Sequence, residues 1–539
     1  MNTIIPVLGG LGLLLYGMTI MGDALQKAVG NKMRNIIGVL TKNKFMGALV
    51  GFLVTVLVGS SSATTIMTIG FVNAGIMSLD QAVGIIMGSN LGTTVTAQLI
   101  AFNLDEIAPL IVGISVFIIF IGKEKKKLKS IGEIGLGFGM LFMGMTFMKD
   151  GLAPLQYMPW FSSLLVKLNN PIIGVLVGLG LTTLVQSSAA SIGLLQALSS
   201  QGLLTINQAF PILFGDNIGT TTTGLISSIG TNRNGKRTAM LHFLFNVIGT
   251  LIFMIALRIP IQYIVEKWTP MNVSRQIANA HTLFNLINIV IQLPFSKFLV
   301  KAACFVVHEG KAEDEKKSLY LDSRILRTPS IAVDAVRKEI QRMSDYALDN
   351  INHAYLGILN RSEEEVERVE KQELIINSLE TEIVEYLVLL SNENISQEQY
   401  DAVHVMMSMT NDLERVGDHA KNISELATYL MAEGLNFTED AMQDFTNIVD
   451  KAKFAFTKAM ESFKTGSYDS AFEASNAEEE VDKMERKYRL EHISRLSAGN
   501  CIPATGVIFL DALSNVERIS DHADNIANYI IEVHEKDKN

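Results

Sequence analysis

One internal match constrains this chain more than any other feature. Adding 127 to a position in one apolar stretch gives its counterpart in a second, without a gap. Val58-Gly-Ser-Ser-Ser-Ala-Thr-Thr65 pairs with Val185-Gln-Ser-Ser-Ala-Ala-Ser191, and Gly88-Ser-Asn-Leu-Gly-Thr-Thr94 pairs with Gly215-Asp-Asn-Ile-Gly-Thr-Thr221. Asn43 and Asn170, Gly51 and Gly178, Gly75 and Gly202, and Gln81 and Gln208 keep the same spacing, as do Gly17-Met-Thr and Gly144-Met-Thr. Such a match means duplication, and duplicated apolar halves are an architecture of membrane transporters.

The charge distribution divides the chain. Residues 1–310 hold 20 Lys+Arg against 10 Asp+Glu, and residues 311–539 hold 25 against 45. A membrane domain followed by a soluble one fits this shift. The expected domains are 1–305 for the membrane part, 306–328 for a linker and 329–535 for the soluble part. Cys304 and Cys501 have no ligand-like spacing, so neither a disulfide framework nor a cysteine metal site is expected. The N-terminus lacks a basic n-region and cleavage site, so the first apolar run is expected to stay.

Candidate membrane-crossing stretches fall near 4–22, 107–122, 131–149, 238–258 and 279–300. The repeat cores, 45–101 and 172–229, are interrupted by polar and Gly-rich sequence at intervals shorter than the ~20 residues of a full span. Unwound backbone at membrane depth is tolerated only inside protein or beside a wet cavity. The cores therefore read as re-entrant hairpins and broken helices around an interior site. Loops 23–44, 122–130 and 230–237 carry thirteen Lys/Arg, whereas 101–106, 149–171 and 258–278 carry five. The first set, and the acidic tail, are thereby expected in the cytoplasm. The segment entering the first core is then inside and its counterpart outside, so the repeats are inverted.

The stretches Phe45–Gly122 and Leu168–Asn232 contain no Lys or Arg. They offer Ser60, Ser61, Ser62, Thr64 and Thr65 at one break and Gln186, Ser187, Ser188 and Ser191 at the other. Asn90, Thr93 and Thr94 are mirrored by Asn217, Thr220 and Thr221. Neutral oxygens and half-helix C-termini suit a dehydrated Na⁺; half-helix N-termini and hydroxyls suit an oxyanion. An anion held without a basic side chain needs its charge offset, and cations entering with it supply that. The competing reading is that these small residues only let helices pack closely; four matched motifs weigh against it. Asp216 stands where the first core has Ser89, and two roles stay open: a functional intramembrane carboxylate or a group at a wet mouth.

These paired motifs resemble the type II sodium-dependent phosphate (Na/Pi) cotransporter family over residues ~1–305. Gly59 stands where the family has Gln, and Ala189 where it has a third Ser. The resemblance implies Na⁺ as coupling ion, inorganic phosphate as substrate, and a site built from the serine-rich motifs.

The tail has helical periodicity, as in Ile331, Val333, Val336 and Ile340, and fits about six helices in two three-helix units. A second duplication runs through it at an offset of 103. Leu413-Glu-Arg-Val-Gly-Asp-His-Ala-Lys-Asn-Ile423 matches Val516-Glu-Arg-Ile-Ser-Asp-His-Ala-Asp-Asn-Ile526. Glu414/Asp418 and Glu517/Asp521 are i,i+4 pairs, each on one helix face. A solvated acidic face with Arg415 and Arg518 as partners is the alternative to a metal site. The repeated motif resembles the PhoU-type domain, which implies a metal (divalent, iron or zinc) at these carboxylates and control of phosphate uptake.

The expected fold is all-α: a polytopic membrane domain of two inverted repeats, then a cytosolic bundle of two three-helix PhoU-like repeats. The expected function is sodium-coupled phosphate symport across the cytoplasmic membrane by alternating access. The expected partners are phosphate, sodium and the bilayer, with a homodimer and phosphate-signalling partners left open and no nucleic acid. The alternatives are transport of another oxyanion and a phosphate sensor that does not transport. An enzyme is not expected, because the cores lack a nucleophile, a base and a group to orient it.

Overall fold

The computed structural model describes residues 4–29, 43–102, 104–123, 125–308, 318–326, 328–393 and 395–538. Much of the predicted loop 23–44 and of the predicted linker 306–328 lies outside the described residues. Among the described residues the chain is helical, with no strand. It divides into two compact units, Met1–Lys311 and Ala312–Asn539.

In the first unit, α1 (Ile4–Val29) precedes a core of α2 (Lys44–Val58), α3 (Ser61–Asn73) and α4 (Leu79–Ile100). After α5 (Ala108–Ile121), α6 (Lys126–Leu152) and α7 (Pro159–Lys167) comes the second core. It comprises α8 (Pro171–Val185), α9 (Ser188–Ser200), and the near-continuous α10 (Ile206–Gly219) and α11 (Thr221–Ser227). Every boundary of the second core except the interruption at Thr220 lies 127 residues after one in the first. The local signals recur too. Asn43 caps α2 by accepting the Phe45 and Met46 amides, and Asn170 caps α8 by accepting that of Ile172. Ser78 with Gln81 starts α4 as a capping box, and Thr205 with Gln208 starts α10. The unit ends with α12 (Arg233–Ile252), α13 (Arg258–Trp268), α14 (Val273–Gln292) and α15 (Ser296–Val306).

Close backbone approach fixes the packing inside each core. A Cβ on Gly84, Gly88 or Gly92 would come closer than 3.0 Å to the carbonyl oxygen of Lys44, Ala48 or Phe52, respectively. The constant separation of 40 means that α4 runs parallel to α2. Gly215 against Val175 and Gly219 against Leu179 keep the same separation, so α10 runs parallel to α8. The middle helix of each core therefore returns, and α2–α3 and α8–α9 are hairpins. At 15 residues, α2 and α8 reach only about 22 Å, short of the ~30 Å hydrocarbon layer.

The relation between the repeats shows at α1 and α6. Gly10 faces the Gly144 carbonyl and Gly17 faces that of Gly137, with reciprocal approaches from Gly144 and Gly137. Gly10 and Gly137 are repeat equivalents, as are Gly17 and Gly144, so each contact maps onto the other. The pairing runs antiparallel. Equivalent helices packed antiparallel about a two-fold axis make the repeats inverted.

Four described helical stretches are long and apolar enough to cross a membrane: Ile4–Leu25, Leu79–Ile100, Lys127–Tyr157 and Arg233–Trp268. Three contain predicted spans. The predicted span 107–122 is only the 14-residue α5, which ends at Gly122 ahead of Lys123. The predicted span 279–300 is bent by 88° between α14 and α15, where Pro294 has no amide to continue the ladder. The expected break at Gly88–Thr94 is also absent: α4 runs straight through, its glycines held against α2. The second knot breaks only at Thr220, whose backbone stays helical at φ −57°, ψ −29°.

The second unit is a bundle of α16 (Pro329–Asn360), α17 (Glu363–Ser391), α18 (Gln397–Ala432), α19 (Glu439–Thr465), α20 (Tyr468–Ser497) and α21 (Pro503–Lys538). They form two three-helix sets that meet along α18 and α21.

Candidate functional site

Each hairpin tip is a two-residue device. The first residue ends a helix in the left-handed region: Gly59 at φ 74°, ψ 6° and Gln186 at φ 54°, ψ 23°. Their amides still bond back to the Thr55 and Thr182 carbonyls at 2.8 and 2.7 Å. The second residue turns the chain and starts the next helix. Ser60 and Ser187 are extended, and their hydroxyls accept the amides of Ala63 and Ala190 at 3.2 and 3.3 Å. Each tip thus brings together a helix C-terminus and a helix N-terminus, with partial negative and positive charge respectively. Ser61, Ser62 and Ser188 occupy the first turns, where backbone amides lack intrahelical partners. Gln186 is exposed, Ser60, Ser62 and Ser187 are half-buried, and Ser61 and Ser188 are buried.

Glycine is at ease in the left-handed region; an L-residue with a Cβ is strained there. Gly59 therefore leaves the first tip without the amide side chain that Gln186 carries at the second, on the same backbone. In this unit the amide is held at the cost of strain by Gln186 alone.

The polar knots lie against the tips. Gly92 packs on Thr55 and Gly219 on Thr182, below the two breaks. Thr93, Thr94, Thr220 and Thr221 turn their hydroxyls onto their own helix carbonyls. Asn217 bonds the Leu213 carbonyl at 2.8 Å. Asn90 instead joins a second element: its Oδ1 lies 3.2 Å from His242 Nε2, and its Nδ2 donates to Asn246 at 3.4 Å. The structure thus gathers Ser60, Ser61, Ser62 and Thr64 at one tip and Gln186, Ser187 and Ser188 at the other. Among the described residues, no side-chain hydrogen bond joins these tip residues to the knot residues.

Asp216 is fully buried, which excludes the wet mouth. Thr182 and Ser191 each donate to its Oδ1 at 2.8 Å. In the first repeat the equivalent Thr55 donates to Thr64 at 2.9 Å, while Ser89 bonds the Ile86 carbonyl.

Sequence reasoning missed the helices behind the cores. His242-Phe-Leu-Phe-Asn246 on α12 and His281-Thr-Leu-Phe-Asn285 on α14 are two buried copies of one pattern. The signal was a histidine repeated within apolar sequence, at a spacing unrelated to 127.

In the second unit the motif helices cross-bond. His522 Nδ1 meets Asp412 at 2.9 Å, His419 Nδ1 meets Asn515 at 3.0 Å, and the two rings stack 5.6 Å apart. Burial, ahead of the neighbouring charges, lowers the His419 pKa. The carboxylates are arranged differently in the two copies. Ligand atoms of Glu478, Asp482 and Asp521 lie within 4.8 Å of one another, an arrangement that could hold a metal ion. Burial and then Asp482, Asp524 and Asp521 push Glu478 up to about 7. Burial and Asp482 raise Asp521, and burial, Asp521 and Asp482 raise Glu517. Unbalanced negative charge of this kind fits a bound cation. On α17 the corresponding face reads Glu373, Asn377 and Glu380, against Glu478, Asp482 and Glu485 on α20, with a constant offset of 105. Asn377 replaces an acid there, and Lys421, standing where the second copy has Asp524, approaches Glu373 at 3.2 Å. Arg415 lies 3.6 Å from Glu414 and 3.5 Å from Asp418, yet burial, Asp418, Glu380 and Glu373 still raise the Glu414 pKa. Both copies are thus acidic, but among the described residues only the second gathers three ligands. Glu478 and Asp482 were legible as another i,i+4 carboxylate pair.

Comparison with known proteins bears on both units. The Na⁺/Pi-cotransporter family model matches residues 13–150 and 156–287, and the PhoU domain model matches 340–427 and 445–530. The Salmonella typhimurium protein YjbB, provisionally described as an inorganic phosphate export protein, is 23% identical over 542 residues, covering 100% of this chain and 99% of its own length. Human sodium-dependent phosphate transport protein 2B is 39% identical over 85 residues, 15% of this chain and 12% of that protein. The Thermotoga maritima phosphate-specific transport system accessory protein PhoU homolog 1 is 23% identical over 197 residues, covering 36% of this chain and 84% of its own length.

Proposed function

The chain belongs to the Na⁺/Pi-cotransporter family, and from that premise we propose that it moves inorganic phosphate together with Na⁺ across the cytoplasmic membrane. The observation that carries this reading is the pair of hairpin tips, where free helix-N-terminal amides and serine hydroxyls lie beside helix-C-terminal carbonyls. Ser60, Ser61, Ser62, Ser187 and Ser188 with the first-turn amides of α3 and α9 would hold phosphate, and Gln186 would donate its amide. Helix-end carbonyls and the hydroxyls of Thr64, Thr93, Thr94, Thr220 and Thr221 would hold Na⁺, with Asn90 and Asn217 bracing the site. Tips that belong to inverted repeats support exposure of the site to each side in turn.

A second reading, export, is favoured by the resemblance to YjbB along the whole chain. Coupled transport runs whichever way the combined gradients point, so both readings share one site. In proteoliposomes, labelled phosphate should enter under an inward Na⁺ gradient and should not when Gln186→Ala and Ser187→Ala are combined. Flux that ignores the Na⁺ gradient would refute the coupling; flux that occurs only outward would establish export.

The PhoU-like unit would regulate this flux from the cytoplasm, the side that the Lys/Arg bias of the loops supports. Glu478, Asp482, Glu517 and Asp521 would hold its divalent metal, which would neutralise them and brace α20 against α21. Asp482→Asn with Asp521→Asn in the full chain should change the phosphate flux; an unchanged flux would sink the regulatory role.

A further inference from the structure

We propose that Asp216 holds one additional Na⁺, in a site that only the second repeat possesses. The proposal rests on the sodium-coupled reading above and concerns the number of ions that move with each phosphate.

The carboxylate lies beneath the second tip and ties both arms of the hairpin. Thr182 on α8 and Ser191 on α9 donate to the same Oδ1, and Oδ2 is buried without a hydrogen-bond partner. An ionised carboxylate without a counter-charge is costly to bury. The helices packed on α10 offer none. On α12, Arg237 bonds Asn234 and the Val307 carbonyl and His242 bonds Asn90; on α13, Arg258 bonds Asn207. Among the described residues, Arg233 and Lys236 on α12, Lys267 on α13, and Arg275 and His281 on α14 form no ion pair with Asp216 either, and Glu266 on α13 is itself an acid. Its hydrogen-bond partners among the described residues are both hydroxyl oxygens, which keep lone pairs free while donating to Oδ1. A carboxylate with two hydroxyl oxygens beside it is the kind of donor set a hard cation takes.

The first repeat provides the comparison. Thr55, Thr64 and Ser89 occupy the same three positions, and there two hydroxyls bond each other and the third bonds a carbonyl. That trio is neutral and lacks the carboxylate. Ion binding at Asp216 would also link α8 to α9, so occupancy would favour the closed second hairpin.

The test uses the full chain in proteoliposomes, with labelled phosphate and labelled sodium followed together. Asp216→Ser installs the residue of the first repeat, and Asp216→Asn keeps the shape without the charge. The expected result is that either variant still carries phosphate but moves one fewer Na⁺ per phosphate. An unchanged ratio overturns the proposal, including the case in which only the pH dependence changes, since that would assign the position to a proton. Should neither variant transport, Na⁺ against choline is compared for its effect on thermal unfolding without phosphate. A smaller Na⁺ shift in Asp216→Ser supports the site, and an equal shift overturns it. If the wild type shows no Na⁺-driven flux, the functional reading fails, while the unfolding comparison still decides whether Asp216 binds Na⁺.

Discussion

Gln186→Gly separates strain from function at the second tip. Holding an L-residue in the left-handed region costs about 1–2 kcal/mol, and the added freedom of glycine in the unfolded chain takes back roughly 0.5–1 kcal/mol. The net gain is about 0.5–1 kcal/mol, which at the usual unfolding entropy per residue raises the midpoint of a unit this size by about 1 °C. Both tryptophans, Trp160 and Trp268, lie in the first unit, so intrinsic fluorescence reports its unfolding alone. Phosphate flux should move the opposite way. Hydrogen bonds to charged groups contribute about 1.5–3 kcal/mol, so losing the amide should lower flux by roughly ten- to a hundredfold. The reverse change, Gly59→Gln, has room, since the nearest atoms to a new Cβ are Gly22 Cα at 3.8 Å and Met18 O at 3.9 Å. It should fold, at a loss of about 0.5–1 kcal/mol from the same two terms. Gln186→Gly with full transport would refute the amide as a ligand. Lower stability in that variant would refute the strain argument.

Gly88→Ala and Gly215→Ala should each abolish well-folded protein, because the new methyl meets a backbone carbonyl of the parallel helix; Gly180→Ala, with nothing within 4 Å, should be tolerated. Yield of monodisperse protein in detergent checks both. In the metal-free second unit, the raised Glu478 pKa means that the native state keeps a proton the unfolded chain has lost between the ordinary glutamate value of 4.5 and about 7. Its contribution to stability is therefore present below the lower value and lost as pH rises through the upper one. Wild type should lose stability relative to Glu478→Gln across that window, and saturating divalent metal should remove the loss; a flat difference refutes it. Asn377→Asp combined with Lys421→Asp should give α17 and α18 the acid set of α20 and α21. Metal content per chain should then rise by one site, and an unchanged content would show that charge alone does not make the site.

The spacing of 127 was sufficient to place the hairpins, because the capping asparagines, the tight glycines and the serine starts are local signals repeated in order. The spacing of 103 did the same for the tail. What stayed hidden was anything that depends on who packs against whom. The glycines of Gly88–Thr94 look like helix breakers in sequence; against α2 they are contact points that a continuous helix needs. Asp216 could have been wet or dry, and only the enclosing hairpin decides it. His242 and His281 lie outside the repeat cores and become part of their surroundings through α12 and α14. The unequal acid sets of the tail required pairing α17 with α18 and α20 with α21, which no spacing within one helix reveals.

Duplication also makes the protein its own control. Both hairpins have one backbone, so a difference between them must come from side chains: an amide at Gln186 against none at Gly59, and a carboxylate at Asp216 against a hydroxyl at Ser89. Both changes enrich the second tip and leave the first neutral and unstrained. The tail shows the same pattern, with acids at Asp482 and Asp524 where the first copy has Asn377 and Lys421. In each unit the shared frame carries the fold, and one copy carries the additional acidic groups. Under the proposed transport cycle, a backbone common to both repeats would account for symmetric exposure of the site. Any difference in ion binding between the halves would then have to come from the positions where the copies part.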